Sequence, residues 1–472
     1  MARIVTAVLA ALAASAAQAA PHNETPCHLD GFETPVRCVS VAVPLDYAVP
    51  EGAQIRVTAA IVPATTARPA EDPLIVLAGG PGQAATGMAP WLDSAFRPAR
   101  RARDIVLFDI RGTGLSGRID CAFSLTAAFR GAEQARQDGA ACAERFGASA
   151  AFFSSREIVE DLERFRRAMG YARVNFWGGS FGTRIAQHYT RAYGGHVRAS
   201  VLDAATPVGT TIVETAPQTG EAALALLFAD CARDAACNGA FPNLKTDLTT
   251  LIARAERGEI SYEAPDPREG RLKTGSIDCD GVVVLVRGAL YVGMTRALVP
   301  YAISQGARGD VKPLLALGSA TAEWSVETMS LGSMLGIICA EDWAQARKLG
   351  PAAVERPFMR HSFYHYFEAA CSGWPARELP ASMFAPLSAK TPAMVISGEA
   401  DPVTPPSLGA AALKQFAGGV HVVIPHAFHT NSSNPCIAEL IAAFLDDPAQ
   451  GGRDQTCVKR VAPPRFITSP NA

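Results

Sequence analysis

Val174-Asn175-Phe176-Trp177-Gly178-Gly179-Ser180-Phe181-Gly182-Thr183 is a short apolar run that feeds a Gly-x-Ser-x-Gly element and opens into Arg184-Ile185-Ala186-Gln187-His188-Tyr189. The pattern reads as a strand, a sharp turn and a helix. A serine at such a turn needs unusual backbone angles, and glycines two residues before and after it let strand and helix approach closely enough to hold it exposed. It then lies at a helix N-terminus, where backbone N–H groups and the dipole favour an oxyanion. Ser180 is therefore the candidate nucleophile, on the strength of the strand before it and the helix after it.

Outward from this turn, Leu74-Ile75-Val76-Leu77-Ala78, Asp104-Ile105-Val106-Leu107-Phe108-Asp109 and Ala199-Ser200-Val201-Leu202-Asp203 are continuous apolar runs of the kind buried on both faces of a parallel sheet. Residues 38–44 and 55–62 suggest an antiparallel hairpin ahead of them. A helix from about Arg156 to Met169 carries Ile158, Leu162 and Phe165 on one face. After Asp203 the alternation stops, and residues 207–386 are mostly helical in pattern, including 221–231, 244–257 and 279–305. Ala393-Met394-Val395-Ile396-Ser397-Gly398 restores the buried-strand pattern. A helix over 406–416, a strand over 420–425 and a last helix over 437–445 follow. The expected class is α/β: one sheet interrupted by a helical insertion.

Upstream, Met1-Ala2-Arg3, an apolar stretch from Ile4 to Ala14 and Ala17-Gln18-Ala19 form a cleavable secretory signal, too short to span a bilayer. The expected organisation is a signal peptide at 1–19, core at 20–206, helical cap at 207–385 and the rest of the core at 386–472. The mature protein is expected to be secreted or periplasmic, with no membrane span. With 472 residues, 49% hydrophobic, the chain is long enough for a large core plus an insertion. The formal charge of -2 leaves no electrostatic footprint for nucleic acid. Eleven cysteines in an exported chain read mainly as disulfides. Sequence proximity suggests Cys27 with Cys38, Cys121 with Cys142, Cys231 with Cys237, Cys339 with Cys371 and Cys436 with Cys457, leaving Cys279 over. No C-x-x-C pair or H-E-x-x-H pattern occurs, so no metal and no cofactor is expected.

In open α/β sheets the chemistry collects at strand ends. With a serine nucleophile, the acid and base are expected later in the chain, in that order. Gly398-Glu399-Ala400-Asp401-Pro402-Val403-Thr404-Pro405 offers Asp401, and Pro425-His426-Ala427-Phe428-His429 offers His429 or His426, which residue type and spacing do not separate. Gly79-Gly80-Pro81-Gly82 can turn a backbone N–H toward a developing charge. The oxyanion hole is assigned to the N–H groups of Phe181 and Gly80. Asp109-Ile110-Arg111-Gly112-Thr113-Gly114-Leu115-Ser116 reads as a structural loop with a buried Asp–Arg interaction; no Lys follows in the P-loop position.

Taken together, Gly79-Gly80-Pro81-Gly82, Asp109-x-Arg111-Gly112-x-Gly114-x-Ser116, Gly178-Gly179-Ser180-Phe181-Gly182, Gly398-x-x-Asp401-x-x-Thr404-Pro405 and a C-terminal His resemble the α/β-hydrolase family of proline iminopeptidases and tripeptidyl aminopeptidases, in its exported, cysteine-rich branch. The resemblance implies a helical cap between sheet strands 6 and 7, Ser180 as nucleophile and Asp401 as orienting acid. Family members commonly carry Gly-x-Gly-His after the last strand, which aligns His429 as the base, with His426 and Phe428 replacing the glycines. Ala78 stands where iminopeptidases often have His. Cys339-Ala340-Glu341-Asp342-Trp343 resembles an acidic cap motif, which implies Glu341 and Asp342 as acceptors for a substrate amino group. The implied activity is a serine exopeptidase acting on peptides with a free N-terminus. A carboxylic ester hydrolase with the same triad is the alternative, because the core machinery does not choose between amide and ester.

Overall fold

The computed structural model describes residues 22–121, 131–265, 270–360 and 362–469, so the expected signal peptide lies outside the described residues. Among them the strands are β1 (His22–Cys27), β2 (Val36–Pro44), β3 (Gln54–Val62), β4 (Leu74–Leu77), β5 (Ile105–Asp109), β6 (Val174–Gly179), β7 (Val197–Asp203), β8 (Ser261–Pro265), β9 (Leu272–Ser276), β10 (Ala389–Gly398) and β11 (Phe416–Ile424). Nine of them form one sheet in the order β1-β2-β3-β5-β4-β6-β7-β10-β11. The β1–β2, β2–β3 and β3–β5 pairs are antiparallel. All later neighbours run parallel, which aligns the C-terminal ends of β4, β6, β7, β10 and β11 on one edge.

The strands read as continuous apolar runs because helices cover both faces. Ile75, Leu77 and Phe176 pack on one side with Ile158, Leu162 and Phe165 of the helix Ser155–Ala168 and with Ile185 and Tyr189 of the helix Phe181–Tyr193. Their neighbours Leu74, Val76 and Trp177 face the other side, against Phe96 of the helix Leu92–Arg100 and Ile441 and Phe444 of the helix Pro435–Asp446. Each fully buried side chain of this size contributes about 1.5–3 kcal/mol, so both layers are needed to hold the middle strands.

After β7 the chain leaves the sheet and returns at β10. Without the edge strand β1 these are the sixth and seventh sheet strands, so the fold is an α/β sheet with a helical cap inserted at that point. Leu224, Leu227, Leu251, Val283, Val286, Val299, Ile303 and Leu314 give the insertion its own core. The helix expected over 279–305 is two, Cys279–Ala289 and Gly293–Ala307, with Thr295 Oγ1 donating to the Ala289 and Val292 carbonyls across the break. β1 and the β8–β9 hairpin were not anticipated, because their largely exposed, polar residues carry no apolar alternation.

Five disulfides join the pairs that proximity suggests, with Cα separations from 5.1 to 6.0 Å. Cys279 is free. The loop after β5 requires a correction. Asp109 does not meet Arg111; it accepts from Thr86 N at 2.9 Å, Thr86 Oγ1 at 2.7 Å and Leu115 N at 2.8 Å. Gly114 closes the loop against the Asp109 carboxylate, leaving no room there for a guanidinium. Arg111 pairs instead with Asp161, at 2.6 Å through both Nε and Nη2, with neither side chain exposed. Among the described residues no helix is long and apolar enough to cross a membrane.

Candidate active site

Ser180 occupies the turn between β6 and the helix Phe181–Tyr193, with φ 53° and ψ −118°. This backbone region is sparsely populated for a residue with a side chain, and the neighbouring glycines explain how it is held. A Cβ on Gly182 would collide with the Leu77 carbonyl, and one on Gly178 would come within 2.6 Å of the Gly182 backbone. Ser180 N donates to the Asp203 carbonyl at 2.8 Å, and Thr183 donates to the Ser180 carbonyl through N and Oγ1. The hydroxyl caps no N–H of its own helix. Gly79 passes so close to the serine that a Cβ there would sit 3.1 Å from Ser180 Cβ, and Gly80 follows with φ 105°. Ser330 N of the cap donates to the Gly82 carbonyl at 2.7 Å, so the cap covers this glycine loop.

Asp401 lies in the turn after β10 and is 2% exposed. Its Oδ1 accepts from Val403 N at 2.8 Å and Thr404 N at 3.0 Å, and its Oδ2 from Thr404 Oγ1 at 2.6 Å. His429 Nδ1 approaches both oxygens, at 3.0 and 2.8 Å. Burial alone raises the Asp401 carboxyl, but His429 and the Thr404 hydrogen bonds outweigh it and hold the group below the usual carboxylate range. With Nδ1 turned to a carboxylate, the proton belongs on Nδ1 and the Nε2 lone pair is free. Gly398 makes the pairing possible: a Cβ there would collide with the Phe428 carbonyl. His426, three residues earlier, has a side chain 40% exposed and donates its backbone N–H to Glu399 Oε2 at 2.9 Å. The geometry separates the two histidines where spacing did not.

Glu341 and Asp342 are 2% and 1% exposed, and both carboxylates have partners within the chain. Asp342 receives Arg184 Nη1 at 2.6 Å, Arg184 Nη2 at 3.0 Å and Ile212 N at 2.7 Å. Glu341 receives Ser155 N at 2.6 Å and Ser155 Oγ at 2.9 Å, with Arg184 Nη1 3.5 Å away. Arg184 lies four residues after Ser180 and stacks over Phe181 at 5.5 Å, so the pair ties the cap to the serine helix. Its long-range partners could not be read from residues 339–343 alone.

Three contributors were missed. Thr404 holds Asp401, although only its place in a motif was legible. Tyr291, at the break between the two cap helices, accepts the His429 backbone N–H at 3.3 Å and stacks edge-on against its ring at 5.2 Å. Asp203, fully buried at the end of β7, accepts from Asn431 N, Ser432 N and Ser432 Oγ at 2.8, 2.8 and 2.6 Å. Among the described residues no group of His, Cys, Asp and Glu side chains could hold a metal ion.

A strained serine at a strand-to-helix turn, with an Asp–His pair in the loops after the last two parallel strands, β10 and β11, is the layout of one hydrolase fold. Residues 72–231 match the family model described as alpha/beta hydrolase fold, and residues 356–457 that described as TAP-like protein. The chain has the α/β-hydrolase fold. As an α/β-hydrolase it is 25% identical to a tripeptidyl aminopeptidase of Streptomyces coelicolor, over 96% of this chain and 89% of the other. It is 34% identical to carboxylesterase B of Mycobacterium tuberculosis over 43% of this chain and 42% of that one. It is 25% identical to the serine protease Hip1 of the same species over 46% of each. This α/β-hydrolase is a serine hydrolase.

Proposed function

We propose that the protein is an exported serine exopeptidase that releases amino acids or short peptides from free N-termini through an acyl-enzyme. The observation that carries the hydrolytic part is the Asp401–His429 pair, with Nε2 left free, on the edge of the sheet that presents Ser180. In this reading His429 Nε2 takes the Ser180 Oγ proton as Oγ attacks a carbonyl. Asp401 holds the ring and stabilises its cation, and the N–H groups of Phe181 and Gly80 receive the oxyanion. His429 then protonates the leaving amine, and water, deprotonated by the same ring, hydrolyses the ester at Ser180. Glu341 and Asp342 act through Arg184, fixing the cap against the serine helix. Export is supported by the five disulfides, which persist in oxidising compartments.

The aminopeptidase reading leans on the relative aligned over nearly the whole chain, and ester hydrolysis on the carboxylesterase aligned over 43% of it. A panel of aminoacyl, tripeptidyl and N-blocked chromogenic amides beside short acyl esters, with Ser180→Ala as control, decides between them. Cleavage of free-amine amides supports the exopeptidase; turnover of esters alone sinks it.

A further inference from the structure

Asp203 is a carboxylate with no counter-ion in a place where a charge is expensive. It is completely buried, and no Lys or Arg among the described residues pairs with it. Its Oδ1 has no hydrogen-bond partner, while Oδ2 takes three. A buried acid of this kind destabilises a fold, because unpaired buried polar atoms are costly, so its presence calls for an explanation. Burial pushes its carboxyl up, with the Ser432 and Asn431 hydrogen bonds and His429 acting in the opposite sense.

Its contacts show what the position joins. The Asp203 main-chain carbonyl receives Ser180 N at 2.8 Å, and its side chain receives the N–H groups two and three residues after His429. Ser432 Oγ, which donates to Asp203, also accepts Trp177 Nε1 at 2.8 Å, three residues before Ser180. Between His429 and Asn431, Thr430 is held at φ 59°, a conformation that persists only where its surroundings over-determine it. Asp401 fixes the imidazole from one side; the loop that carries it is fixed from the other by Asp203. Ser180 and His429 share no direct hydrogen bond in this structure, so their spacing rests on these shared anchors.

We propose that Asp203 is a positioning residue that sets the distance between the nucleophile and the base by binding the serine turn through its carbonyl and the histidine loop through its carboxylate. The inference rests on the roles given above to Ser180 and His429. A displacement of about 1 Å between reacting groups lowers turnover about 100-fold.

The test measures kcat and KM on a 4-nitrophenyl acyl ester, the rate of Ser180 labelling by a fluorophosphonate, and the urea unfolding midpoint. Asp203→Ala is expected to lower kcat and the labelling rate together by about 100-fold with KM within about threefold. Asp203→Asn, whose amide oxygen can still accept the two N–H groups, is expected to recover most of that loss. A folded Asp203→Ala protein that labels and turns over within about threefold of the parent overturns the proposal. If Asp203→Ala does not fold, Ser432→Ala decides: an unchanged kcat and labelling rate overturn the proposal, and a parallel fall in both supports it. Failure of the parent protein to label would instead overturn the roles of Ser180 and His429 themselves.

Discussion

Replacing Glu341 by Gln separates two readings of the acidic cap pair. In the folded protein the Glu341 carboxyl is pushed up to about 7, with burial the largest cause, opposed by Arg184 and by the Ser155 hydrogen bonds. An unperturbed glutamate titrates near 4.3, so keeping the folded group ionised at pH 8 costs about 3–4 kcal/mol. Because the folded value is raised, the favourable contribution of this site is complete below about pH 4, falls through the interval up to 7 and is lost above it. Gln has the same shape and is neutral throughout: its oxygen can accept Ser155 N and its amide can donate to Ser155 Oγ. Glu341→Gln is therefore expected to match the parent near pH 4 and to be about 3–4 kcal/mol more stable at pH 8. Urea unfolding followed by tryptophan fluorescence at the two pH values measures this. The same protein is expected to keep its KM for free-amine substrates, since Glu341 holds Ser155 and Arg184. Lower stability than the parent at pH 8 would refute the electrostatic reasoning. A tenfold rise in KM confined to free-amine amides, with N-blocked amides unchanged, would restore Glu341 as a direct ammonium acceptor.

Asp401→Asn removes the charge that holds the Nδ1 proton of His429; kcat is expected to fall by about 10³–10⁴ with little change in KM, and a loss under tenfold in steady-state assays would reject the pairing. Arg111→Met leaves the Asp161 carboxylate buried without its partner and is expected to lower unfolding stability by about 3–5 kcal/mol in urea titrations, against near-neutrality if solvent reaches the site. The Cys339–Cys371 bridge closes a separation of 32 residues, so replacing both cysteines by Ala is expected to lower stability by about 3–4 kcal/mol. An unfolding midpoint equal to the parent's would show that this part of the cap is held without it.

The sequence by itself determined what depends on near neighbours along the chain. Glycines two residues either side of Ser180 announce a close strand-to-helix turn, because only the missing Cβ lets Gly182 lie against the Leu77 carbonyl. Uninterrupted apolar runs announce strands covered on both faces, and the order Ser180, Asp401, His429 follows from the sequence of strand ends. The tertiary structure decided everything that depends on which segments meet. Whether His429 or His426 faces Asp401 is set by Gly398 approaching the Phe428 carbonyl, a contact between two strands' ends. Arg111 finds Asp161 rather than Asp109, Glu341 and Asp342 close on Arg184 and Ser155, and Asp203 joins the serine turn to the histidine loop. Each of those partners is a charged or polar group whose burial is tolerable only when a distant donor arrives to satisfy it, and chain spacing does not encode that arrival.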